Sequence, residues 1–107
     1  MLIALDYDLT YTADKAMWHD ILHVIRKFGH EVIIVTMRDK ELDWHDDFKY
    51  LDHNHEIKTV FCNGQSKKEV MDSLGYSVAI WVDDSPEGIH LGSSFSKEEL
   101  HKWRRVQ

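Results

Sequence analysis

The residues best suited to chemistry begin at Asp6. The run Leu2-Ile3-Ala4-Leu5 leads straight into Asp6-Tyr7-Asp8-Leu9-Thr10, so two carboxylates one residue apart follow an apolar stretch. An unbroken apolar run bounded by polar residues reads as a buried strand, and its carboxyl tip then carries negative charge. Burying bare carboxylates costs several kcal/mol each unless a cation or hydrogen-bond donors meet them. Oxygen-only ligands suit a hard divalent cation, Mg²⁺ first among them. If the chain stays extended through Asp8, strand alternation turns Asp6 and Asp8 inward and Tyr7 outward. One carboxylate could then attack as a nucleophile while the other moves a proton. The plainer alternative makes both of them turn residues after a strand.

Three more segments carry polar residues suited to the same edge. Thr36 and Arg38 come directly after the apolar run Val32-Ile33-Ile34-Val35, and Asp83-Asp84 comes after Val78 to Val82. Lys67 opens a helix, with Lys68 beside it as a rival for the same role. Thr36 and Arg38 each have a second reading, as a strand-end residue and a surface residue.

These positions need elements to hold them. Asp14 caps a helix from Lys15 whose apolar positions Met17, Trp18, Ile21, Leu22, Val24, Ile25 and Phe28 follow helical spacing. His19, Asp20, His23, Arg26 and Lys27 fall largely on the other face, and Gly29 supplies the C-terminal cap. Glu31 to Thr36 is a β-branched strand, and Ile57 to Cys62 is a third, closed by Asn63-Gly64. Ser66 with Glu69 forms a capping box for a helix to about Leu74. Val78 to Val82 is the fourth strand, followed at Ser85-Pro86-Glu87-Gly88 by a turn or short helix. Residues 39–55 read as a helix or an irregular excursion. Leu91 to Phe95 reads as a weak edge strand, and Ser96 with Glu99 caps a C-terminal helix over about 97–106. Alternation of this kind implies an α/β fold: a Rossmann-like three-layer sandwich with a central, mainly parallel sheet. The polar strand tips then share one edge, where ligands bind in such folds.

Taken in order, Asp6-x-Asp8-x-Thr10, Thr36, Lys67 and Asp83-Asp84 closely resemble the motifs of the haloacid dehalogenase superfamily, over Leu2 to Gly88. Most members of that superfamily are Mg²⁺-dependent phosphatases. The Asp83-Asp84-Ser85-Pro86 form looks like that of compact phosphatases acting on protein or nucleic-acid ends. Small stand-alone members from phages look similar too. The resemblance implies Asp6 as nucleophile, forming an aspartyl-phosphate, and Asp8 as general acid and then base. It implies Thr36 as a hydrogen-bond donor to the phosphoryl group and Lys67 as its counter-charge. It implies Mg²⁺ held by Asp6, the Asp8 backbone carbonyl and Asp83, with Asp84 in support. Thr10 orders the loop after the nucleophile, and Arg38 assists phosphate binding.

Residues 11–35 leave room for one helix and residues 37–66 for one helix and one strand, so no cap domain fits. An open site suits a bulky phosphorylated substrate such as a nucleotide, a nucleic-acid 3′- or 5′-phosphate or a phosphoprotein. A second subunit, in a homo-oligomer, is the other way to close it. The alternative function is a catalytically weak, regulatory domain that binds phosphate and Mg²⁺, of the same superfamily or receiver-like. A receiver places its phospho-acceptor after the third strand, where this chain has no aspartate near Phe61.

The bulk numbers bound these readings. The 107 residues allow one domain, 1–107, with a modest core. The net charge of −6 disfavours a nucleic-acid-coating role, because phosphate-backbone affinity comes from Lys and Arg. Cys62 is the only cysteine, which excludes an intramolecular disulfide and favours a reducing compartment. Cys62 reads as a small buried residue. The eight histidines, His53-Asn54-His55 included, have no structural-zinc spacing with cysteine. The tryptophans read as core or interface, Trp44 lying in the segment that borders the site. No signal peptide or membrane span is expected, and the expected location is the cytoplasm.

Overall fold

A computed structural model describes residues 1–92. The expected helix over 97–106 and its Ser96/Glu99 cap lie outside the described residues, as do the later positions of the expected edge strand.

Four strands form one parallel sheet in the order β3-β2-β1-β4. They are β1 (Leu2–Leu5), β2 (Glu31–Thr36), β3 (Thr59–Phe61) and β4 (Ile80–Val82). Ile33, Ile34 and Val35 are buried, as a strand covered on both faces requires. The third and fourth strands are shorter than their apolar runs suggested, because ladder pairing begins only at Thr59 and Ile80.

The helices lie on both faces. On one face, α1 (Lys15–Lys27) and α2 (Asp46–His55) bring Leu22, Phe48 and Leu51 into a core with Ile3, Leu5 and Ile34. On the other, α3 (Lys67–Ser73) packs Met71 against Ala4, Ile33, Val35 and Cys62. This division follows from right-handed crossovers. The chain moves outward from β1 to β3, then returns past both to β4, so the returning helix must take the opposite face. The three-layer sandwich expected from the sequence is therefore the observed architecture, with a sheet that is wholly parallel among the described strands.

Asp14 caps α1 by accepting from the Met17 amide at 3.0 Å. Met17, Val24 and Phe28 are exposed, so the buried stripe of α1 is narrower than its apolar content suggested. His19 is half-buried, not on the solvent face; its Nε2 lies 2.6 Å from the Tyr11 hydroxyl. The stretch 39–55, which from sequence reads as a helix or an irregular excursion, divides into an irregular loop and α2. A short helix, α4 (Glu87–Leu91), follows Pro86, and Leu91 closes it instead of opening a strand. No helix among the described residues is long and apolar enough to cross a membrane.

Candidate phosphoryl and metal site at the switch point of the sheet

The sheet order changes direction at β1, which has β2 on one side and β4 on the other. In open α/β sheets the crevice at that switch point, outside the carboxyl ends of the strands, is where ligands sit. A cavity of about 330 Å³ opens there, lined by Asp6, Asp8, Thr36, Lys67, Asp83 and Asp84 among others. Of the eight residues singled out from sequence, only Thr10 and Arg38 do not line it, and both touch residues that do.

Lys67 is the centre of the site. It is the first residue of α3, and Ser66 fixes that helix start. The Ser66 hydroxyl accepts from the Glu69 amide at 3.3 Å and donates to the Ile89 carbonyl at 2.8 Å. Lys67 is 3% exposed, and its ammonium donates to Asp6 at 2.7 Å and to Asp83 at 2.6 Å. Lys68, one residue on, is exposed and pairs with Asp72. The ambiguity between the two lysines thus resolves for Lys67.

Asp84 completes the cluster through Thr10. The Thr10 hydroxyl is 3.1 Å from both Asp6 and Asp84, and accepts from the Asp84 amide at 3.1 Å. With one proton it donates to one of the two carboxylates at a time. The Thr10 carbonyl is held in turn by the Trp18 indole at 2.8 Å. Asp83 also accepts from the Ser85 amide at 2.9 Å. Thr36 is fully buried, and its hydroxyl accepts from the Arg38 amide at 3.2 Å.

Asp8 departs from the alternation expected of a strand. The backbone leaves β1 in a wide turn over Tyr7–Tyr11, with Leu9 at φ +62°. Tyr7 is consequently buried, stacked on Tyr11 and donating to Asp47 at 2.7 Å, whereas the Asp8 side chain is half-exposed. Both Asp8 oxygens accept from Arg38, at 2.8 and 2.9 Å. Arg38 also donates to the Asp43 carbonyl at 2.8 Å and lies 4.9 Å from the Tyr7 ring centre.

Electrostatics divides the acids into two groups. Asp8 has its own arginine. Asp6, Asp83 and Asp84 share one ammonium, which leaves two negative charges unbalanced if all three ionise. Burial pushes the Asp6 carboxyl up to about 7 against the pull of Lys67, with Asp84 and Asp83 adding to the rise. Burial works against the charge on Lys67, but Asp6 and Asp83 outweigh it and lift its pKa above the ordinary value. Lysine thus stays charged while the excess negative charge draws in a proton or another cation.

Oxygens of Asp6, Asp83 and Asp84 all lie within 4.8 Å of one another. Two oxygens bound to one Mg²⁺ at ~2.1 Å are at most ~4.2 Å apart, so small side-chain rotations bring the three onto one ion. The donor set is all oxygen and its excess charge is that of a divalent cation. The residues present therefore fit a hard divalent metal. The Asp8 carboxylate, engaged by Arg38, is not part of this cluster.

No family model, no curated protein and no solved structure matches the chain.

Proposed function

We propose that this protein is a Mg²⁺-dependent phosphatase that works through Asp6, as its motif resemblance to the haloacid dehalogenase superfamily implies. One observation carries the reading. A buried lysine holds two of three clustered carboxylates in an open cavity at the switch point of the sheet. A structural ion pair does not require a third acid or a cavity. A site that receives a phosphoryl dianion and a metal does.

In the proposed reaction an Asp6 oxygen attacks phosphorus, and the bond from phosphorus to the leaving oxygen breaks. Asp8 delivers a proton to that oxygen, then takes one from water as the water attacks the aspartyl-phosphate. Inorganic phosphate leaves and Asp6 is restored. Lys67 balances charge on the phosphoryl oxygens, and Thr36, whose hydroxyl proton has no acceptor among the described residues, donates to one of them. Asp6, Asp83, Asp84 and the Asp8 carbonyl would hold Mg²⁺, which when bound screens the like-charge repulsion between substrate and nucleophile. Arg38 must release Asp8, and Asp8 must take up a proton from solvent, before it can act as the acid towards a leaving group. The substrate phosphate offers Arg38 another bidentate partner.

That same Arg38–Asp8 pair favours a second reading, a regulatory domain that binds phosphate and Mg²⁺ without turnover. Hydrolysis of p-nitrophenyl phosphate separates the two. The phosphatase reading expects Mg²⁺-dependent release of nitrophenol that falls at least ~10³-fold in Asp6→Asn, the order seen when a nucleophile is removed. Equal activity in both proteins refutes Asp6 as nucleophile. Absence of turnover in wild type on any phosphate ester, with Mg²⁺ still bound, favours the regulatory reading.

A further inference from the structure

A second cavity, of about 290 Å³, lies along the outer edge of β3 on the face covered by α1 and α2. Its floor is aromatic. Trp44 stacks on Phe61 with ring centres 6.1 Å apart, and meets Phe48 edge-on at 5.5 Å. Phe48 and Phe61 are themselves edge-to-face at 5.1 Å. Trp44 is nonetheless 46% exposed, so the platform is packed on one side and open on the other.

The polar lining is cationic in a chain of net charge −6. Lys40 and Lys58 line the cavity, and neither is in an ion pair among the described residues. Asp52 is the carboxylate that lines it. Thr59 lines it too, and its Oγ1 is the buried side-chain polar atom without a partner among the described residues. The cavity thus combines a π platform with two lysines outside any ion pair among the described residues.

This cavity is close to the phosphoryl site. Phe61 is the register partner of Thr36, which lines the first cavity. β1 and β3 are two strand spacings apart, about 10 Å. Arg38 joins the two regions, because it holds both Asp8 and the Asp43 carbonyl in the loop that carries Lys40 and Trp44.

We propose that the β3-edge cavity is a nucleobase subsite serving the phosphoryl site, so that the protein's substrate class is a nucleoside monophosphate or a single nucleotide end. The base stacks on Trp44, a contact open to any base because every base has a π face. Lys40 and Lys58 donate to ring and carbonyl acceptors, as lysine does to guanine O6 and N7. The acidic segment that contains Asp39, Asp43, Asp46 and Asp47 disfavours a long polyanion across this face. The substrate assignment rests on the phosphatase reading; the base subsite itself does not.

The test compares guanosine 5′-monophosphate with ribose 5-phosphate, which lacks only the base. Binding is measured by titration calorimetry on full-length Asp6→Asn protein with Mg²⁺, which removes turnover. The nucleotide should bind roughly tenfold or more tightly than the sugar phosphate, the low end of one stacked base. Trp44→Leu should erase that difference, and Lys58→Gln, at an exposed position, should reduce it several-fold. Equal binding of the two ligands, or a base advantage that survives Trp44→Leu, overturns the subsite. Wild-type turnover then separates this inference from the reaction. Hydrolysis of both esters with equal KM keeps the phosphatase and refutes the subsite. Trp44-dependent nucleotide binding with no hydrolysis of either ester keeps the subsite and refutes the phosphatase.

Discussion

Replacing Lys67 with methionine tests the electrostatic centre of the site without reference to activity. The change keeps the length of the side chain and removes the ammonium that Asp6 and Asp83 share at 2.7 and 2.6 Å. Removing one partner of a buried ion pair costs about 3–5 kcal/mol, because the remaining charge is left uncompensated. For a chain of this size ~1 kcal/mol is worth about 4 °C or more in Tm, so Lys67→Met should melt at least ~12 °C below wild type. Lys68→Met is the control. Lys68 and Asp72 are half-exposed and four residues apart on α3, a pair worth about 0.3–0.5 kcal/mol, so its Tm should move by only ~1–4 °C. Thermal melts followed by circular dichroism at pH 8 without divalent cations give both numbers. The sign of the pH dependence adds a check. Without Lys67 the folded-state pKa of Asp6 rises further above its unfolded value. A folded pKa raised this way gives stability that is present at low pH and lost as pH rises, so the deficit should shrink at pH 5. Mg²⁺ should also stabilise the variant itself, by ~2.7 kcal/mol at a hundred times its Kd for that variant. A Lys67→Met protein that melts with wild type, or a Lys68→Met protein that falls as far, refutes the assignment of Lys67 as the buried counter-charge.

Two further outcomes follow from the packing around the site. Gly92 has φ +75° and ψ −179°, and a Cβ there would lie 2.6 Å from the Gly64 carbonyl oxygen, so Gly92→Ala should cost about 1–3 kcal/mol in denaturant unfolding; an unchanged midpoint would contradict the close approach of these two segments. Burial pushes the Cys62 thiol up to about 11, so iodoacetamide at pH 8 should leave the native protein unmodified and label it only on unfolding.

The parts of the site written as local pattern were legible in the sequence. Leu2 to Leu5 is apolar without interruption, so a buried strand with Asp6 at its tip followed directly. What failed was the assumption that alternation continues beyond the last ladder pair. Leu5 pairs with Ile34 and Val82, whereas Asp8 is past the ladder and Leu9 turns through positive φ. Tyr7 therefore swings into the core, which no period-two reading of Asp-Tyr-Asp predicts. The choice of Lys67 over Lys68 did carry a usable signal. Val70 and Met71, three and four residues on, are the apolar positions of α3, and they share a helical face with Lys67. The loop 39–45 carried none, because its shape is set by Arg38, the Asp39 and Asp43 side chains and the aromatic contacts of Trp44, all of them interactions without periodicity.

Arg38 is also where the two cavities become one electrostatic problem. The cluster of Asp6, Asp83 and Asp84 accepts positive charge from a proton or a divalent cation and leaves Asp8 untouched, because Asp8 is already neutralised by Arg38. A ligand that brings only a metal therefore changes the cluster and not the Arg38–Asp8 pair. In the proposed reaction, a ligand that brings a phosphate would compete for Arg38 and free Asp8. Because Arg38 also holds the Asp43 carbonyl, that competition reaches the loop bearing Lys40 and Trp44.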